Sequence, residues 1–226
     1  MIRSVLFDTE TTGLDPLLGD RVIEIAALEL DGDLPTGRHY HTLIHPGRDI
    51  PEGATRIHGI TLDALRDAPR FEEIADALLA FLGDGPLIAH NAPFDFGFLD
   101  AEFARIGLAA LDRGRMIDTL AMAKQRYPGM PNSLDALCRR LDIDLSQRTT
   151  HNALLDCKLL AEVYVELTGG RQRGLSLVED EQADLSLVRH TATGPHTPHP
   201  IEPSAAELAA HVAFIARIKG AIWTRE

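Results

Sequence analysis

Residues 5–16 read VLFDTETTGLDP. The apolar run Val5-Leu6-Phe7 marks a buried strand, and in an extended strand residues i and i+2 project from the same face. Asp8 and Glu10 therefore stand side by side at the end of that strand. Like charges so close repel, and burying them unpaired is costly. The pair calls for either a retained proton or a cation between the two groups. Gly13 and Asp15-Pro16 supply the turn that follows.

Outward from this strand, residues 22–30 and 39–44 read as two more, with a turn over 31–37, so that the second and third pair antiparallel. Thr61 caps a short helix over 62–66. Phe71–Leu82 is amphipathic and stops at Gly83-Asp84-Gly85. Residues 86–91 form a short buried strand, and 94–106, 119–127, 134–141 and Ala153–Leu167 read as helices. Strands first, then strand alternating with helix, give an α/β sheet that is partly antiparallel.

The composition changes after Gly169-Gly170. This places a domain over 1–170, a Gly-, Thr-, Pro- and His-containing linker over 171–203 and a terminal helix over 204–226. Ser204-Ala205-Ala206-Glu207 is a capping box. Leu208, Val212, Ile215, Ile218 and Ile222 follow at helical spacing, with Trp223 behind them. An amphipathic helix on a tether reads as a docking peptide.

With 226 residues, 45% of them hydrophobic, the chain can bury one sizeable core. No run approaches the roughly 18–20 apolar residues of a membrane span, and the N-terminus has no signal-peptide pattern. The two cysteines, Cys138 and Cys157, form no ligand motif and read as reduced core residues of a cytoplasmic protein. A formal net charge of −12 argues against a non-specific duplex binder, which would carry a basic face. His39, His41 and His45 have no carboxylate or cysteine at fitting spacing and read as surface or core positions; His190, His196 and His199 read as linker.

Two further acids stand out. Asp95 lies in HNAPFD (residues 90–95), just after the fourth strand, and Asp156 in HNALLD (residues 151–156), where it interrupts an apolar helix face. Either alone would pass as a solvated or helix-end charge. Asp8, Glu10, Asp95 and Asp156 together form an oxygen-only set suited to Mg²⁺ or Mn²⁺. With His151 in the loop before the last helix, its ring leans over that set, and a neutral imidazole there can accept a proton from water.

These ordered motifs resemble the DEDDh branch of the DEDD exonuclease superfamily. IHGIT around His58, NSLDALC at 132–138 and LAEVYVELTGG at 160–170 extend the likeness to the proofreading epsilon-subunit family of bacterial DNA polymerase III, over roughly residues 4–170. The resemblance implies a ribonuclease H-like mixed sheet of about five strands. It implies two divalent ions, Mg²⁺ or Mn²⁺, held directly by Asp8, Glu10 and Asp156 and completed by Asp95, with His151 as general base. The implied reaction is two-metal hydrolysis at a single-stranded or frayed DNA 3′ end, releasing nucleoside 5′-monophosphates. His58 would line the terminal-nucleotide pocket. His90, Asn91 and Phe94 would support the site or touch substrate, beside Glu10 and Asp156. The acid expected before the HGI motif has no clear match: Glu52 is nearest, but Gly53 competes for the place. Gripping a few nucleotides at a strand end needs no broad basic face, which answers the charge.

The stretch Gln172-Arg173-Gly174-Leu175-Ser176-Leu177 resembles the short peptides with which bacterial replication proteins bind the sliding clamp. Gln172, Leu175 and Leu177 would make that contact. The family implies that Leu208, Val212, Ile215 and Trp223 dock on the polymerase III alpha subunit, in a cytoplasmic, nucleoid-associated replisome. Two other readings fit the motifs: an RNA 3′ exonuclease of the same superfamily, and a catalytically silent scaffold between polymerase and clamp.

Overall fold

The computed structural model describes residues 3–146, 148, 150–169 and 202–218. Five strands form one sheet: β1 (Arg3–Thr11), β2 (Val22–Asp31), β3 (Leu34–Leu43), β4 (Leu87–Ala89) and β5 (Met116–Asp118), in the order β3-β2-β1-β4-β5. β1–β2 and β2–β3 run antiparallel, whereas β1–β4 and β4–β5 run parallel. The mixed five-stranded architecture is the one the sequence implied. Six helices complete this unit: α1 (Glu52–His58), α2 (Phe71–Leu82), α3 (Ala92–Arg105), α4 (Thr119–Arg126), α5 (Leu134–Arg140) and α6 (Ala153–Leu167).

β1 is central and covered on both faces, which is why its apolar run is continuous rather than alternating. Val5 and Phe7 enter a core shared with α2 and α3, while Leu6 enters one shared with α5 and α6. The period of two then carries Asp8 and Glu10 onto the α6 face and Thr9 onto the α3 face. The strand end is thus the place where both helical layers can reach one point.

Several boundaries differ from the sequence reading. The turn expected over 31–37 is only Gly32-Asp33, because Gly32 at φ 62° permits a two-residue reversal and β3 begins at Leu34. Pro35 is tolerated because β3 is an edge strand. The helix expected over 62–66 is a single 3₁₀ turn, Asp63–Leu65. α1 and β5 are additional elements. His41 corrects the expectation that it lacked a carboxylate partner: its Nε2 lies 2.7 Å from Glu24 Oε1, across the β2–β3 ladder. Strand pairing brings together two residues that sequence spacing keeps apart. Cys138 and Cys157 are free and buried.

A second compact unit contains α7 (Ala205–Ile215). Ser204 and Glu207 form the expected capping box, with Glu207 N–H donating to Ser204 Oγ at 3.3 Å. Leu208, Val212 and Phe214 are each at least half exposed. Trp223, Ile222, the linker and the candidate clamp peptide with Gln172, Leu175 and Leu177 lie outside the described residues. Among the described residues, no helix is long and apolar enough to cross a membrane.

Candidate active site

The C-terminal end of β1 opens into a cleft of about 780 Å³. Asp8 and Glu10 form its floor, and Asp95, His151 and Asp156 also line it. α3 brings Asp95 in its first turn, and α6 brings Asp156 in its own. His151 immediately precedes Asn152, whose side chain caps α6 by accepting from Leu155 N–H at 3.0 Å. The helix therefore begins two residues after His151, whose Nδ1 lies 3.6 Å from Asp156 Oδ2.

The acids do not share one environment. Asp95 is 2% exposed, and its Oδ1 accepts from Thr9 N–H at 3.1 Å and Thr9 Oγ1–H at 2.7 Å. Burial nevertheless pushes its carboxyl up to about 7. Glu10 is pushed up to about 8 by burial first, then by Asp156, Glu24 and Asp95. Asp8 is the least buried of the three, yet burial, Asp95 and Glu10 together hold it well above the ordinary carboxylate range. Burial and mutual repulsion thus raise the proton affinity of all three acids at this end of the cleft.

Asp156 differs. Arg148 grips it bidentately, Nε to Oδ1 at 2.6 Å and Nη2 to Oδ2 at 2.7 Å, while Nη1 reaches Asp135 at 2.6 Å. The same Nη2 lies 3.2 Å from His151 Nδ1. The ligand atoms of Glu10, His151 and Asp156 all lie within 4.8 Å of one another. A divalent cation fits this donor set chemically: carboxylate oxygens crowded together, with a nearby imidazole. Arg148 occupies both oxygens of Asp156, so an ion bound there would have to share them with the guanidinium.

The remaining expected residues divide. His58 is buried in the cleft wall, where its Nδ1 accepts from Ile60 N–H at 3.0 Å; burial, and then His151, lower its proton affinity. Phe94 and His90 also line the cleft, and His90 Nδ1 lies 2.9 Å from Thr119 Oγ1. Asn91 does not line it: this residue sits at φ 66° before α3, where its N–H donates to Asp118 Oδ1 at 3.0 Å. It directly precedes the helix that carries Asp95, without a side-chain cap. At the position before the HGI motif, Gly53 lines the wall and Glu52 does not. Sequence reasoning missed Thr9, Glu24 and Arg148. Thr9 was legible as the odd residue between two even ones, but a lone arginine in a loop carries no such signal.

With this geometry in view, residues 5–164 match the family described as RNase_T, Exonuclease. The chain belongs to the exonuclease family. Within it the chain is similar to DNA polymerase III subunit epsilon of Rickettsia conorii, 45% identical over 222 residues and covering 96% of each chain. The subunit of the same name from Escherichia coli is 40% identical over 186 residues, 79% of this chain and 76% of that one. Among solved structures, exonuclease X in complex with 5′ overhanging duplex DNA aligns at a TM-score of 0.58 and 26% identity, over 75% of this chain and 92% of that one. Exonucleases of this family depend on divalent metal, and Glu10, His151 and Asp156 form a group that could hold such an ion.

Proposed function

We propose that this exonuclease removes nucleoside 5′-monophosphates from DNA 3′ ends, as the proofreading subunit of a replicative DNA polymerase III in the bacterial cytoplasm. The observation that carries the reading is the convergence of Glu10, His151 and Asp156 ligand atoms within 4.8 Å, in one cleft with Asp8 and Asp95. Asp8, Glu10 and Asp156 would hold Mg²⁺ or Mn²⁺ directly, with Asp95 completing the set and kept in place by Thr9. A divalent ion held there would supply polarisation of the scissile phosphate and a stronger water nucleophile near neutral pH.

The chain's own groups do the rest. His151 is half exposed at the cleft mouth and takes the proton of the attacking water. Ile57, His58 and Phe94 give the terminal nucleotide an apolar wall on which to rest. Within the second unit, the exposed apolar side chains of α7 are the proposed docking face for the polymerase alpha subunit. Residues 172–177 are the proposed clamp-binding peptide. Tethering raises the local concentration of the nuclease near the primer end without demanding a tight interface.

The test is 3′-end digestion of labelled single-stranded DNA and RNA of matched sequence, with Mg²⁺ and then EDTA, for wild type, Asp8→Ala and His151→Ala. Metal-dependent release of 5′-mononucleotides from DNA, lost in Asp8→Ala and lowered about 10²-fold or more in His151→Ala, is expected. A preference for RNA would move the assignment to RNA processing. Removing residues 204–226 should leave digestion unchanged and abolish co-purification with the polymerase subunit.

A further inference from the structure

Glu24 lies on β2, directly opposite Glu10 in the β1–β2 ladder, and only 1% of it is exposed. A carboxylate so buried is costly unless it is hydrogen-bonded, and here the donors come from both sides of the sheet's active end. His41 Nε2–H, on β3, donates to Oε1 at 2.7 Å. Asn152 Nδ2 donates to the same oxygen at 3.1 Å, and Ala153 N–H donates to Oε2 at 3.2 Å. The last two donors form the N-terminus of α6, where backbone N–H groups lack partners within the helix and the dipole favours an anion.

Asn152 is the joint through which this matters. Its side-chain oxygen closes the first turn of α6 on Leu155 N–H, and its amide nitrogen is held by Glu24. His151 is the residue before it. Asp156 is one turn later, with its N–H donating to Asn152 O at 2.8 Å. Both groups from this end of the site are therefore anchored, through one residue, to a buried carboxylate that touches neither of them.

We propose that Glu24 is a positioning residue for the hydrolysis: it sets the register of the α6 N-terminus against β1, so that His151 and Asp156 stand over Glu10, with His41 fixing Glu24 from β3. The inference rests on the roles proposed above for His151 and Asp156. Outer-shell hydrogen-bond partners of this kind are typically worth about 10–100-fold in metal affinity or activity.

The full chain is tested as wild type, Glu24→Gln, the exchanged pair Glu24→Gln with Asn152→Asp, and His41→Ala. Each is measured for melting temperature, Mn²⁺ affinity by calorimetry, and kcat and KM on 3′-labelled single-stranded DNA. Glu24→Gln turns one acceptor into a donor facing donors. The expected result is a folded protein whose kcat and Mn²⁺ affinity fall about 10–100-fold while KM moves less than about twofold. The exchanged pair restores an amide-to-carboxylate hydrogen bond between the two positions and should recover most of the lost kcat.

A folded Glu24→Gln variant with wild-type kcat and Mn²⁺ affinity overturns the proposal. So does an exchanged pair that folds without recovering kcat. If Glu24→Gln does not fold, His41→Ala decides: kcat lowered severalfold at constant KM supports the proposal, and wild-type kcat overturns it. Failure of the underlying reading looks different, because Asp8→Ala and His151→Ala would then retain wild-type rates.

Discussion

The two sides of the carboxylate cluster solve the same problem in opposite ways. On the β1 side, Asp8, Glu10 and Asp95 face one another without a basic partner bonded to any of them among the described residues, and their proton affinity rises. On the α6 side, Asp156 is as deeply buried but is neutralised by the fork of Arg148. The first arrangement stores repulsion that an incoming cation can relieve. The second is already satisfied, and a cation must compete for it. On the site assignment proposed above, a cation would exchange partners with Arg148 at one end and relieve crowded acids at the other.

The largest effect that sharpens this contrast separates two conservative substitutions. Asp8→Asn and Asp156→Asn should each lower kcat on the order of 10³-fold, since each removes a ligand worth several kcal/mol in the transition state. In EDTA, however, their melting temperatures should move in opposite directions. Asp8→Asn removes a crowded buried acid and should raise the value. Asp156→Asn strands a nearly buried guanidinium and should lower it, with each kcal/mol worth roughly 2–4 °C in a chain of this size. Shifts of the same sign in calorimetry would erase the distinction between the two sides.

A smaller effect is in the pH dependence of stability. Glu10 and Asp95, raised to about 8 and about 7, keep protons in the folded chain that the unfolded chain releases at ordinary carboxylate values. Their stabilising contribution is complete below the unfolded values and is lost as pH rises through the folded ones. The melting temperature in EDTA should therefore fall between about pH 5 and about pH 8. Glu10→Gln should flatten that slope, and saturating Mg²⁺ should flatten it in wild type.

The smallest expected effect tests the competition at α6. Arg148→Ala should lower the metal-free melting temperature by a few degrees, and the gap to wild type should close on saturation with Mn²⁺. A gap of the same size with and without Mn²⁺ would mean that the arginine does not exchange with the ion.

Much of this site was legible in the sequence because its parts are local. Asp8 and Glu10 are two apart on a strand, and Asp95 and Asp156 each sit in the first turn of a helix that announces itself by apolar periodicity. α6 was read at its observed bounds, since fifteen residues of consistent pattern outweigh uncertainty at either end. β5 is three residues long and contributes one short ladder, too little to register as a strand. α1 begins just after Pro51 with no side-chain cap, so it carries no start signal. The pairs that finish the site are the least visible. Glu24 meets His41 by strand pairing and Asn152 by helix packing, and Arg148 meets Asp156 only because the loop before α6 folds back. Asn91, next to these residues in sequence, lies outside the cleft lining, in a left-handed turn before α3.

β3 has a consequence of a different kind. It is a ten-residue strand at the rim of the sheet, mostly exposed, and an open rim invites another chain to add a strand of its own. Pro35 withholds a backbone donor there, and Arg38 stands beside it, paired with Glu29 at 3.0 Å. These are the devices that blunt runaway strand addition. A sheet finished in this way discourages self-association through its edge, even where many copies crowd together.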